Sequence, residues 1–156
     1  MTVNHDAADH AGRLKDMMKT GAEYYGLAVY RVQNQDYAVG TREQVDKAVA
    51  TVIKKELHGF APDFLAGIVV RYNRHSEPFT IEEIKAALDS LLNSLGEEAL
   101  PLLQMIVGEA MEDLVREAIL SDGRASFLNP TDNEEYLSDD IPGLPKGKWA
   151  FKIPSE

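Results

Sequence analysis

Between Glu97 and Leu120 the chain reads EEALPLLQMIVGEAMEDLVREAIL, and one periodicity runs through the whole stretch. Ala99, Leu103, Ile106, Ala110, Leu114 and Ala118 recur at steps of three and four, the spacing that stacks side chains along one side of a helix. Leu102, Val107, Met111, Val115 and Ile119 widen that stripe, while Glu109, Glu112, Asp113, Arg116 and Glu117 take the opposite arc. A helix of this length extends about 36 Å at 1.5 Å per residue. An apolar arc so wide needs more than one neighbour, so the stretch predicts a central helix on which other elements pack. Pro101 is tolerated because it falls near the helix start. Gly108, in the interior, costs about 1 kcal/mol relative to alanine and predicts the close approach of another backbone.

The remaining elements follow from the same kind of reading. Residues 6–19 predict a short helix with Leu14, Met17 and Met18 on its apolar edge. Leu27–Val32 and Tyr37–Val39 have the β-branched and aromatic content of strands, flanking the polar turn Gln33–Asp36. Thr41 with Gln44, and Thr80 with Glu83, are capping boxes: the first opens a helix whose buried face runs from Val45 to Leu57, the second a helix over Ile81–Asn93. A third helix runs from Pro62 to Val70, and the Ser94–Gly96 turn predicts antiparallel pairing of the helices on either side of it. Ala125–Leu128 and Lys148–Ile153 read as strands, with Asn129-Pro130 a turn and Ser138–Gly147 a Pro/Gly-rich loop. The expected fold is α+β: a single domain, residues 1–156, with a helical bundle around the 97–120 helix packed on a small antiparallel sheet.

Composition narrows the function classes. The chain has no cysteine, which removes disulfides, thiolate metal sites and thiol nucleophiles. It has no apolar run of transmembrane length and no apolar core of a signal sequence, so a cytoplasmic protein without membrane contact is expected. The net charge of −10 is uneven: residues 1–60 hold eight Lys/Arg and eight Asp/Glu, residues 61–156 eight and eighteen. That balance argues against direct nucleic-acid binding and allows a basic partner, the plainer alternative being that the acidic side chains solubilise a helical surface. Phosphate-loop, dinucleotide, nucleophile-elbow and zinc-protease motifs are absent. His5 with Asp9 and Asp6 with His10 have helical metal-ligand spacing, but no third ligand stands nearby, so no metal and no cofactor is expected.

Three segments carry a resemblance. Asp36–Ala48 (DYAVGTREQVDKA), His58–Phe64 (HGFAPDF) and Ser121–Leu128 (SDGRASFL) resemble a family of uncharacterised proteins from bacteriophages and other mobile elements, whose pattern is VGT-x-x-E-A-D-x-A, WAF-x-x-x-F and DGRGHFL followed by D-x-x-E. Thr41 and Asp46 match the first segment, with Gln44 for Glu and Val45 for Ala. Phe60 and Phe64 match the second, with His58 and Gly59 for Trp and Ala. Asp122, Gly123, Arg124, Phe127, Leu128, Asp132 and Glu135 match the third, with Ala125-Ser126 for Gly-His. The resemblance implies an origin on a mobile element, where small proteins often act by binding and blocking a host protein.

The leading functional expectation is accordingly a non-enzymatic, acidic binding protein that blocks a host protein, such as an anti-CRISPR-like inhibitor of a defence system. From Glu97 to Asp140 there are twelve acidic residues against Arg116 and Arg124, enough to imitate nucleic acid before a basic or nucleic-acid-binding partner. The expected partner-binding residues are Glu109, Glu112, Asp113, Glu117, Asp122, Arg124, Asp132, Glu135, Asp139 and Asp140; no catalytic residue is assigned. The alternatives are a small enzyme built on Asp122, Arg124 and Glu135, and an assembly or structural factor that forms a homodimer through its helical face. Gly123 is expected as the left-handed residue ending the central helix.

Overall fold

The structure, a computed structural model, describes residues 19–129 and 131–154. The His5/Asp9 and Asp6/His10 pairs and nearly all of the first expected helix lie outside the described residues; Lys19, its last position, opens a strand. The fold is α+β. Lys19–Tyr24 (β1), Leu27–Val32 (β2), Gln35–Gly40 (β3), Tyr136–Leu137 (β4) and Trp149–Ile153 (β5) form one antiparallel sheet in the order β1-β2-β3-β5-β4. The two tight turns explain the first three strands. Tyr25 and Gly26 have φ of 51° and 86°, Gln33 and Asn34 of 49° and 69°. Positive φ at both central residues is the hairpin turn whose twist matches right-twisted strands. The polar turn is therefore two residues long, and Gln35 and Asp36 belong to β3.

Among the described residues there are six α-helices, in chain order Arg42–Lys55 (α1), Pro62–Tyr72 (α2), Ile81–Leu95 (α3), Leu100–Val107 (α4), Met111–Asp122 (α5) and Ala125–Leu128 (α6). Both capping boxes form. Thr41 N–H donates to Gln44 Oε1 at 2.9 Å while Gln44 N–H donates to Thr41 Oγ1 at 3.2 Å, and Thr80 and Glu83 do the same at 3.0 and 3.2 Å.

Some expectations need correction. Ala125–Leu128 is a helical turn, not a strand: Arg124 O accepts from Phe127 N and Leu128 N, and Ala125 and Leu128, three apart, are the residues it buries. The 97–120 stretch is helical from end to end, as expected, with two 3-10 turns in it. A 3-10 turn at Gly96–Ala99 precedes α4, and a second at Gly108–Ala110 separates α4 from α5. Gly108 has φ of 50° with ψ of −121°, a conformation that costs an L side chain dearly and that glycine adopts freely. The nearest neighbour of Gly108 is a side chain, not a backbone: a Cβ there would stand in ordinary contact, 3.4 Å, with Asn73 Nδ2. That amide donates to Ile106 O at 2.9 Å and Val107 O at 3.3 Å, satisfying carbonyls that the turn releases. The apolar stripe continues past the glycine: Ala99, Leu103, Ala110, Leu114 and Ala118 are buried as expected, while Ile106 is half-buried and its neighbour Val107 is the buried residue of that turn.

The described chain groups into two compact units, residues up to 49 with those from 122 onward, and residues 50–121; α1 and α5 each run on from one to the other. In the sheet unit, Val29, Ala38 and Phe151 stand in register on one face and are buried. The opposite face carries Val32, Val39 and Ala150 with Tyr30, Tyr37 and Tyr136, and the chain's own Leu144 and Ile141 cover it. In the helical unit Leu57, Leu65, Ile68, Leu88, Leu103 and Leu114 are fully buried. There α3 packs chiefly on α2, and not antiparallel to the helix that follows the Gly96 turn, which is the pairing the short turn predicts.

Candidate acidic surface and binding groove

Most of the acidic residues singled out by charge are already engaged. In the sheet unit Arg124 Nε donates to Asp46 Oδ1 at 2.6 Å, and Arg42 Nη1 to Glu135 Oε1 at 3.0 Å. Arg42 and Asp46 are four apart on α1, so Arg124 and Glu135 converge on one helix face but are neutralised by separate partners. Arg42 also lies 4.1 Å from the centre of the Trp149 ring. Asp122 is exposed at the end of α5, and Gly123 beyond it has the expected left-handed φ of 80°.

Asp132 belongs to a network on the tyrosine face. The turn that carries it is built by the fully buried Asn129, whose Nδ2 donates to Asp132 Oδ1 and Glu134 O and whose Oδ1 accepts from Thr131 N and Asp132 N. Asp132 Oδ2 accepts from the Tyr136 hydroxyl and lies 3.3 Å from Lys152 Nζ. The Tyr136 hydrogen bond holds the Asp132 carboxyl below the ordinary carboxylate range, with the Glu134 N–H and Lys152 adding to it. The same hydrogen bond raises the Tyr136 hydroxyl, and Lys152 is raised by its hydrogen bonds to Tyr136 and Asp132. Asp139 Oδ1 accepts from Gly147 N at 2.8 Å, pinning the covering loop, and Asp140 is exposed beside it.

In the helical unit the outer face of α5 is also largely neutralised. Asp113 pairs with Arg116 at 2.7 Å and Glu117 with Arg71 at 3.0 Å. Both guanidiniums lie over the Tyr72 ring, at 5.7 and 5.8 Å. Glu112 remains exposed, and Glu109 Oε1 accepts from Arg74 N at 2.9 Å. Among the described residues no group of three or more His, Asp or Glu is placed to hold a metal ion.

The feature that charge counting missed is a groove of ≈ 680 Å³ inside the helical unit. Val69 and Asn73 at the end of α2, Phe79 in the following loop, Ile84, Ala87 and Leu88 on α3, and Met105 and Ile106 on α4 line it. Its lip is apolar and wet: Phe79 is 54% exposed and Met105 76%. The only sequence signal was Met105 itself, an apolar residue lying off the buried stripe of its helix. Phe79, in the loop before α3, gave none. A second cavity, lined in part by Lys54, Glu112 and Val115, shares Gly108 and Glu109 with it.

Comparison with protein-family models, with curated proteins and with solved structures finds no match to this chain.

Proposed function

We propose that this chain is a non-enzymatic binding protein of a phage or other mobile element, which occupies a basic surface of a host protein and thereby blocks it. The observation that carries the reading is the charge balance of the helical unit, where residues 50–121 hold twelve Asp/Glu against six Lys/Arg on a framework of rigid helices. Preorganised charge of one sign chiefly raises association rates and selects partners. The ion pairs narrow the surface available for this task. Asp113, Glu117, Glu135 and Asp132 form ion pairs within the chain, as do Arg124 and Asp46, whereas Glu98, Glu112 and Asp140 are exposed and stand outside the described ion pairs.

The test is capture from host lysate with partners identified by mass spectrometry, repeated with a Glu98→Lys, Glu112→Lys, Asp140→Lys variant. These exposed positions leave the fold untouched, so the melting temperature is expected to stay within about 2 °C. Capture and the block of the captured protein's activity should both be lost. A folded variant that captures and blocks as well as the parent refutes the acidic-surface reading.

A further inference from the structure

The geometry points to the groove between α2, α3 and α4 as the docking site for an amphipathic helix of the partner, with apolar residues on one face and Lys or Arg flanking them. This deepens the binding-protein reading and rests on it.

Three observations select that occupant. The groove is walled by helices and offers no strand edge, so it suits a helix laid into it by its apolar stripe and not an added strand. Its lip exposes Met105 and Phe79, the flexible thioether and the aromatic ring that are enriched where proteins bury surface against each other. A site for a small ligand would enclose such residues; here they project into water on an open rim. The third observation is charge. Among the described residues the lining contains two carboxylates, Glu83 on α3 and Glu109 beyond α4, with His75 as its one other titratable group and no lysine or arginine.

Those carboxylates are fixed before anything binds. Glu83 is held by the Thr80 N–H at 3.0 Å and Glu109 by the Arg74 N–H at 2.9 Å. They stand on different walls, with the apolar floor of Ile84, Leu88 and Ile106 also in the lining. The C-terminal end of α4 points here as well, and its dipole adds a partial negative charge near Gly108. Asn73 holds that end in place through the Ile106 and Val107 carbonyls. A neutral or acidic apolar helix would leave this potential unanswered, whereas a cationic one is matched at both walls. About three helical turns would follow the groove, with anchors at i, i+3, i+4 and i+7.

The probe is a fluorescein-labelled twelve-residue peptide with leucines at those four positions and lysines on its other face, titrated with the full chain and read by anisotropy. Binding is expected in the range of about 1–50 μM, weakening about fivefold or more when salt rises from 0.05 to 0.5 M. Met105→Lys should weaken it at least tenfold without unfolding the chain, because that side chain is already mostly in water. The same peptide with glutamates for lysines should bind at least tenfold more weakly. The proposal is overturned if the lysine peptide does not bind below 1 mM, if Met105→Lys leaves its affinity unchanged, or if both peptides bind alike. It is also overturned if an uncharged small apolar ligand binds the groove and the lysine peptide does not. Loss of peptide binding with host-protein capture intact in Met105→Lys would sink the groove and spare the acidic surface. The reverse pattern, in which Glu98→Lys, Glu112→Lys, Asp140→Lys captures normally, would sink the surface and spare the groove.

Discussion

The tyrosine face of the sheet and the groove of the helical unit begin from the same problem and end differently. Each is an apolar surface with aromatic or sulfur-containing residues at its margin. On the sheet, Leu144 is 6% exposed over Val32, Val39 and Ala150, and Asp139 ties the covering loop down through Gly147 N. In the groove no described segment of the helical unit plays that part, and Met105 stays 76% exposed. Apolar area left in water forgoes about 25 cal/mol for each Å² that burial would remove. Among the described residues the first surface is covered by the chain's own loop and the second is open, and it is at the open one that the proposed docking is expected.

If this contrast is sound, removing the cover should hurt and trimming the lip should not. Leu144→Ala is expected to cost about 2–4 kcal/mol, since it opens a cavity over the tyrosine face, and urea unfolding will measure it. A loss below about 1 kcal/mol would mean that the loop merely rests there. Gly123→Val comes next. With φ at 80° and no atom within 4 Å of the place a Cβ would take, the whole effect is conformational, about 1–2 kcal/mol, seen as a lower melting temperature. An unchanged melting curve would show that this turn does not need its left-handed residue.

A smaller effect is expected from pH, because the groups that form the Asp132 network are solvent-accessible. Asp132 titrates lower folded than unfolded, so its contribution is present above about pH 4 and fades as acid carries the pH down through its folded value. Tyr136 and Lys152 titrate higher folded than unfolded, so their contribution is complete below about pH 10 and is lost as the pH rises through their folded values. Tyr136→Phe should flatten both limbs of the stability profile and return the Asp132 carboxyl toward its ordinary value by NMR titration. Parallel pH profiles for parent and variant would show that the network does not contribute to stability. Smallest of all, Met105→Ala should leave stability within about 0.5 kcal/mol. A larger loss would show that the groove's lip is part of the core.

What the sequence revealed tracks how local the physics is. Thr41/Gln44 and Thr80/Glu83 set helix starts through contacts three residues apart, so both were legible. The stripe from Ala99 to Ala118 was legible for the same reason. The turn at Gly108 was visible only as an oddity, because the side chain that satisfies the carbonyls there is Asn73, thirty-five positions earlier. Ala125–Leu128 is too short for a period of two to be told from one of 3.6. β1 escaped because its strand signal is weak, though Tyr25-Gly26 could have been recognised as a hairpin turn. The acidic positions were countable, but their neutralisation by Arg42, Arg71 and Lys152 spans long loops of sequence. The groove needed three helices at once.

The most direct test of the groove as the partner site is a ¹H–¹⁵N NMR titration of the full chain with the lysine–leucine peptide. Shift changes should cluster on Phe79, Glu83, Ala87, Leu88, Met105 and Glu109, and should vanish in Met105→Lys. Changes confined to the outer face of α5 around Glu112 and Glu117, or no changes at saturating peptide, would contradict the groove as the docking site.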